Sequence, residues 1–128
     1  MKKPVATSSA PNAIGTYSQA VVAGSTAYLS GQIGLDPVSM EMVNDTFDAE
    51  ARQVFDNLAA VVDAAGATLA HVAKLTVYLT DLAHFEAVNA VMAELFEAPY
   101  PARAAVGVAS LPKGARVEVD AIVVIPDV

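Results

Sequence analysis

The chain has 128 residues, of which 55% are hydrophobic and 16% are charged, with a formal net charge of −7 and no cysteine. This composition excludes an intrinsically disordered chain, and the length predicts a single domain over residues 1–128. The negative charge disfavours a nucleic-acid partner, while the absence of cysteine excludes disulfides and thiolate chemistry and fits a reducing compartment.

The N-terminus carries no signature of secretion. Met1-Lys2-Lys3-Pro4 is followed by small and polar residues, where a signal peptide has an apolar segment. Further along, no run approaches the ~18 consecutive apolar residues of a membrane span. We therefore expect a soluble, cytoplasmic protein with no membrane partner.

The first third of the chain predicts an extended arm followed by two strands. Residues 1–13 are assigned to the arm because Pro, Ser, Ala and Asn dominate this region. The strands are predicted over 16–23 and 27–33, on either side of a Gly-Ser turn. Alternation in the second strand sorts its side chains into one face with Tyr28, Ser30 and Gln32 and another with Leu29 and Ile33.

The middle of the chain predicts an amphipathic helix. Apolar residues recur at three and four positions from Thr46 to Ala65. Asp45 or Thr46 can cap the start of this helix, and Gly66 can end it.

The remaining residues predict a strand, a second helix and two more strands. Residues 72–80 alternate between apolar and polar, which indicates a strand with one buried face. A helix is predicted from Asp81 to just before Pro99, with Phe85, Met92 and Phe96 in an apolar stripe. Strands over 103–108 and 117–125 complete the pattern.

Two helices cover only one face of such a sheet. On the last strand, the side chains expected to face away from the helices are Glu118, Asp120, Ile122 and Val124. This row begins with charged residues and ends with apolar ones. We expect copies of the same chain to bury part of this face, with Glu118 and Asp120 near a wetter edge.

Arg103 is the side chain that most needs an explanation. It opens an apolar strand, where a cation is costly to bury unless an anion meets it. Its planar donors suit a carboxylate, so Arg103 and Glu118 form either a structural ion pair or a site in which Arg103 holds a ligand's carboxylate while Glu118 handles protons. Composition and spacing alone leave both interpretations open.

The two histidines do not suggest a metal site. His71 and His84 lack the spacing of metal ligands, and both are expected at the surface where elements meet. The sequence therefore predicts no bound metal.

Several segments, in their order and spacing, resemble the RidA (YjgF) family, whose name stands for reactive intermediate deaminase. The resemblance covers about residues 10–125. It rests on Ala13-Ile14-Gly15-Thr16-Tyr17-Ser18-Gln19-Ala20-Val21, Ser30-Gly31-Gln32-Ile33-Gly34-Leu35-Asp36-Pro37, Val88-Asn89, Pro101-Ala102-Arg103, Leu111-Pro112-Lys113-Gly114 and Val117-Glu118-Val119.

The resemblance implies a fold, an assembly and a reaction. The fold is α+β and chorismate-mutase-like, a mixed sheet with two helices packed on one face. The assembly is a homotrimer with a central barrel and sites between neighbouring subunits. The reaction is hydrolysis of 2-imino acids and their enamine tautomers, such as 2-iminobutanoate and 2-iminopropanoate, to 2-keto acids and ammonia, without a cofactor or metal.

The resemblance also assigns roles to individual residues. Arg103 matches the residue that holds the substrate carboxylate, and Glu118 the acid that positions or activates water. The remaining matched positions are catalytic Tyr17, which lines the cleft, and substrate-binding Asn89, Ser30, Gly31 and Ala105.

The sequence departs from the family pattern at four positions. Many members have proline, tyrosine, cysteine and glutamate where this chain has Thr16, Met92, Ala105 and Gly107. The departures at Thr16, Met92 and Gly107 keep an alternative open, namely a non-catalytic trimer that binds small carboxylates or has a regulatory or chaperone-like role.

Overall fold

A single mixed sheet organises the protein in the computed structural model, which describes residues 1–127. Its strands are Lys2–Val5 (β1), Ala20–Ala23 (β2), Thr26–Gln32 (β3), Val72–Leu79 (β4), Ala102–Gly107 (β5) and Val117–Val124 (β6). They are ordered β1-β2-β3-β6-β4-β5, and only the β4–β5 pair is parallel. The last strand along the chain, β6, therefore lies inside the sheet, between β3 and β4.

The helices are Phe47–Ala64 (α1) and Phe85–Leu95 (α2). The Thr46 hydroxyl accepts a hydrogen bond from the Ala49 amide at 3.0 Å, and Gly66 follows α1 at φ 90°, so both predicted ends of this helix are confirmed. The order of helices and strands predicted from periodicity is confirmed as an α+β sheet with two α-helices.

The core lies between the helices and one face of the sheet. Alternate residues of β4 and β6 belong to one buried cluster with a stripe of α1, as expected from the periods of two and 3.6 residues. The core includes Val54, Phe55, Leu58, Val61, Leu75, Val77, Leu79, Val88, Val91, Val117, Val119 and Val123.

The N-terminal arm is more ordered than predicted. Residues 2–5 pair with β2 as an edge strand, while the strand predicted from residue 16 begins only at Ala20. Gln19 explains both differences. Its buried side chain accepts from the Thr7 amide at 2.7 Å and donates to the carbonyls of Thr7, Ala10 and Pro11. These bonds fasten the arm beside the sheet before the strand begins.

Two bulges change the predicted faces. The pairing of β3 with β6 shifts between Leu29 and Gln32, which places Gln32 opposite Val119 in the buried row. The prediction that Gln32 shares a face with Tyr28 and Ser30 was therefore wrong, because an extra residue reverses the alternation.

A second shift, between Val72 and Lys74, leaves Ala73 exposed and Val72 buried. Period-two reasoning fails at both places for the same reason.

The second helix begins later than predicted. Asp81 accepts a hydrogen bond from the Ala83 amide at 2.9 Å, and a 3₁₀ turn over Leu82–His84 precedes α2. His84 was predicted at the surface, but its ring stacks on Phe47 with centroids 4.0 Å apart and is partly buried.

Candidate active site

Arg103 lies on the edge strand β5, on the face covered by α2. Its register partner Leu75 belongs to the buried row. Arg103 Nη1 donates to Asn89 Oδ1 at 2.9 Å, and the guanidinium lies 4.6 Å from the centroid of the Phe85 ring. No carboxylate within residues 1–127 forms an ion pair with Arg103. The exposed guanidinium is thus oriented by neutral neighbours, with donors left for an anion.

A cavity of about 360 Å³ opens beside this guanidinium. It is lined by Asn89, Met92, Ala93, Tyr100, Pro101 and Arg103. Met92 Sδ lies 3.5 Å from Arg103 Nη1, so the methionine that departs from the family pattern borders the space where a carboxylate would bind. We refer to this space as the arginine cavity.

Glu118 lies on the opposite, open face of the sheet. It borders a larger cavity of about 560 Å³ together with Tyr17, Ser30 and Gly31. The other lining residues are Pro11, Asn12, Ile14, Gln32, Ile33, Leu35, Pro112 and Lys113. We refer to this space as the glutamate cavity.

Local hydrogen bonds hold the glutamate cavity open. Ser30 Oγ donates to the Ser18 carbonyl at 2.6 Å, and the Tyr17 hydroxyl accepts from the Ile14 amide at 3.3 Å. Gly15, at φ 115°, allows the sharp turn that returns Tyr17 toward Ile14.

The carboxyl of Glu118 is packed directly against the backbone of Gly31. A Cβ at position 31 would contact Glu118 Oε2 and lie 2.8 Å from its Cδ. Only glycine leaves room for the carboxyl here, which explains why the Ser30-Gly31 bulge matters to the site.

Gly31→Ala should therefore push the Glu118 carboxyl out of its place. We expect little loss of stability, because the displaced atoms belong to the end of a flexible side chain that borders an open cavity, together with loss of any activity that needs Glu118. Thermal melting and a coupled assay of ammonia release measure the two effects. Gly107→Ala is the matched control, because a Cβ there would meet Leu82 only at 3.4 Å. A Gly31→Ala protein as active as the parent would contradict the close packing.

Burial and a neighbouring acid make Glu118 harder to ionise. Partial burial is the main cause that raises the pKa of this carboxyl, and the charge of Asp120 raises it further. The Tyr78 hydroxyl donates to Asp120 Oδ2 at 3.0 Å, which keeps the Tyr78 pKa above its ordinary value. Glu118 is thereby a stronger base than an exposed glutamate.

The structure does not bring Arg103 and Glu118 together within one chain. Arg103 is paired with Leu75 and Glu118 with Tyr78, two positions on β4 whose side chains point to opposite faces. The interpretation of these residues as an intrachain ion pair is therefore wrong. The sequence alone does not show this. The face to which each side chain points depends on the register of β5 and β6 against β4, and that register is known only from the fold.

The matched residues thus divide into two groups. Asn89 joins Arg103 at one cavity, whereas Tyr17, Ser30 and Gly31 join Glu118 at the other. Ala105 pairs with Val77 and lies on the same face as Arg103, but it does not line the arginine cavity.

Sequence reasoning missed several residues that line the cavities. Tyr100 and Pro101 adjoin the arginine in sequence, and the Pro112-Lys113 pair belongs to a quoted motif to which no role was given. Proximity to Arg103 and to the last strand was the signal that pointed to them.

Neither a metal-binding cluster nor a membrane helix is present in the described part of the chain. Within residues 1–127 no three His, Cys, Asp or Glu side chains are grouped as metal ligands would be. In the same range, no helix has both the length and the hydrophobicity to cross a bilayer.

Comparisons with known proteins match nearly the whole chain. The family model described as Endoribonuclease L-PSP matches residues 7–125. A 2-iminobutanoate/2-iminopropanoate deaminase of Dermatophagoides farinae is 50% identical over 124 residues, which cover 97% of each chain. The human protein of the same name is 43% identical and covers 97% of this chain and 90% of its own.

Solved structures agree with these matches. RidA from an Antarctic Psychrobacter has a TM-score of 0.93 at 50% identity, covering 96% of this chain and 99% of that one. E. coli TdcF with bound serine has a TM-score of 0.90 at 39% identity, covering 97% of this chain and 99% of its own.

Proposed function

The chain belongs to the RidA (YjgF) family, and from this membership we propose that it hydrolyses 2-imino acids and their enamine tautomers to 2-keto acids and ammonia. Its relatives are named for 2-iminobutanoate and 2-iminopropanoate, and these are the substrates we propose. The reaction needs no cofactor or metal, and we place it in the cytoplasm.

The observation that carries the proposal is the state of Arg103. Its guanidinium is held by an amide and an aromatic ring, without a carboxylate partner in the described chain, as a receptor for a ligand's carboxylate requires. The serine bound in E. coli TdcF supports this assignment, since serine carries a carboxylate next to its nitrogen-bearing carbon, as a small 2-imino acid does.

The chemistry requires water to add to the C=N bond. In our proposal Glu118 removes a proton from water as the oxygen attacks the protonated imine carbon, giving a tetrahedral carbinolamine. The Glu118 carboxyl then returns this proton to the nitrogen. Ammonia leaves as the C–N bond breaks, the hydroxyl proton passes back through the Glu118 carboxylate to ammonia or solvent water, and the carbonyl of the 2-keto acid forms. The raised pKa of Glu118 suits both steps, and the Tyr17 hydroxyl lines the same cavity.

The two cavities become one site in this proposal when a second copy packs against the open face. The arginine cavity of one copy would then face the glutamate cavity of its neighbour, and three copies would close a homotrimer around a central barrel. The exposed apolar side chains of Tyr28, Ile122 and Val124 on the open face support a covered surface.

The description of the matching family model also names an endoribonuclease. A net charge of −7 and two carboxylates on the open face disfavour an RNA backbone as ligand. We therefore propose a small-molecule substrate and no nucleic-acid partner.

A dehydratase-coupled assay tests the reaction. A threonine dehydratase generates 2-iminobutanoate in solution, and we expect the protein to accelerate ammonia release. Binding of 2-ketobutanoate without such acceleration would instead support a non-catalytic carboxylate-binding protein.

Mixing two inactive variants tests whether sites are shared between copies. Arg103→Ala and Glu118→Gln chains, unfolded and refolded together in equal amounts, should recover roughly a quarter of the parent activity, because three quarters of randomly mixed cyclic trimers contain one intact site out of three. Each variant refolded alone is the control. No recovery in mixtures that native mass spectrometry shows to contain mixed trimers would contradict a shared site.

A further inference from the structure

A second acid, Glu50 on α1, is completely buried and lies outside both cavities. Its Oε2 accepts from the Arg116 backbone amide at 2.7 Å, and its Oε1 accepts from Arg116 Nε at 2.7 Å. Burying a carboxylate costs free energy unless its oxygens are satisfied, and here Arg116 satisfies both. The pair joins residues 66 positions apart, so it fixes tertiary structure and not a local turn.

Glu50 lies next to two segments that line the glutamate cavity, on the side of each segment that faces the core. On one side, a Cβ at Gly34 would lie 2.9 Å from Glu50 Cγ, and the neighbours of Gly34, Ile33 and Leu35, line the cavity. On the other side, Arg116 ends the loop that contributes Pro112 and Lys113 to the lining. Glu50 therefore sets the separation of these two walls.

Arg116 also determines where β6 begins. Its Nη2 donates to the Asn44 carbonyl at 3.1 Å, and its guanidinium lies 5.7 Å from the centroid of the Phe47 ring. Glu118 follows only two residues later. A shift of Arg116 would thus move the carboxyl that, in the proposed function, activates water.

A second buried polar side chain on α1 performs a similar task. Asn57 lies two turns after Glu50, and its Nδ2 donates to the carbonyls of Ile33 at 3.1 Å and Leu35 at 2.9 Å. The same face of α1 therefore fixes the 33–35 wall through Asn57 and the 112–116 wall through Glu50.

We propose that Glu50 is a positioning residue for imine hydrolysis, acting through Arg116 on the cavity wall and on Glu118. This inference rests on the proposed function. Stability alone gives little reason to bury the Glu50 carboxylate, since a buried ion, even when paired, is often no more stabilising than an apolar side chain of the same volume. A role in holding the cavity walls in place accounts for both the burial of Glu50 and its two contacts with Arg116.

The Glu50→Gln/Arg116→Leu double variant separates positioning from stability. It removes the buried carboxylate and its partly exposed cationic partner. The side-chain carbonyl of the introduced glutamine still accepts from the backbone amide of residue 116, but its NH₂ group loses the partner that Arg116 Nε gave Oε1, so the melting temperature should fall while the protein stays folded at the assay temperature. We expect kcat to fall about tenfold or more because Glu118 is misplaced. Binding of 2-ketobutanoate, which depends on Arg103, should change little.

The exposed pair of Asp48 and Arg52 supplies the control on the same helix, with Arg52 Nε 2.8 Å from Asp48 Oδ2. Asp48→Asn/Arg52→Leu should leave kcat unchanged. A Glu50→Gln/Arg116→Leu protein that is stable and has the parent's kcat would overturn the proposal.

Hydrogen exchange keeps this test independent of the deaminase proposal. If the parent protein does not turn over imines, the proposed function fails, and the exchange of the backbone amides of residues 113–116 decides the positioning role. Faster exchange confined to that loop in the double variant supports it, and unchanged exchange overturns it.

Discussion

Arg103→Ala should abolish the acceleration of ammonia release while the protein stays folded. In the proposed mechanism the guanidinium supplies the two-pronged contact that orients the substrate carboxylate, and its loss leaves the imine free to rotate away from water. Loss of such orientation costs at least about 100-fold in kcat/KM. Arg103 is exposed on an edge strand, so its truncation creates no cavity in the core.

The Arg103 test has two matched comparisons. Arg103→Lys keeps the charge without the planar fork and should retain only part of the activity. Arg52→Ala removes an arginine that pairs with Asp48 and Glu94 outside both cavities and should have full activity. Parent-level turnover by a folded Arg103→Ala protein would refute the carboxylate-binding role.

Glu118→Gln should reduce kcat by about 10²–10⁴-fold, the usual contribution of a positioned acid or base. Glutamine has nearly the same shape and can still lie against Gly31, so binding of 2-ketobutanoate should persist. The dehydratase assay and a binding titration measure the two effects. Turnover at the parent's rate would assign proton transfer to another group.

The same substitution should make the fold more stable at neutral pH. Because burial and Asp120 raise the Glu118 pKa, the folded state holds this proton more tightly than the unfolded state does. The free energy of unfolding therefore falls as the pH rises above about 4.5, the ordinary value, and the carboxylate becomes charged. The glutamine side chain cannot ionise and avoids that loss.

Melting curves at two pH values test the sign. The Glu118→Gln protein should melt above the parent at pH 7, and the difference should shrink toward pH 4. A difference that grows on acidification would mean that the folded state favours the ionised carboxylate. Together with lost turnover, the expected result would identify Glu118 as a group retained for catalysis at a cost to stability.

The elements of the fold were largely readable from local patterns. The period of α1, the Thr46 cap and the alternation of β6 each depend on neighbouring residues, which act alike in any context. The predictions failed where a contact with residues distant in the sequence changed the local structure. Gln19 fastens the N-terminal arm and delays β2, and the bulge at Ser30-Gly31 moves Gln32 to the buried row.

The sequence by itself indicated the side chains that we propose for the chemistry. Arg103, Glu118 and Tyr17 stand in motifs that identify the family, and the types of these residues limit what they can bind. The tertiary structure alone decided where they lie. Arg103 pairs with Leu75 and Glu118 with Tyr78, and these two residues lie three positions apart on β4, so Arg103 and Glu118 point to opposite faces of one sheet. Strand order is set by long-range pairing, and no local pattern records it.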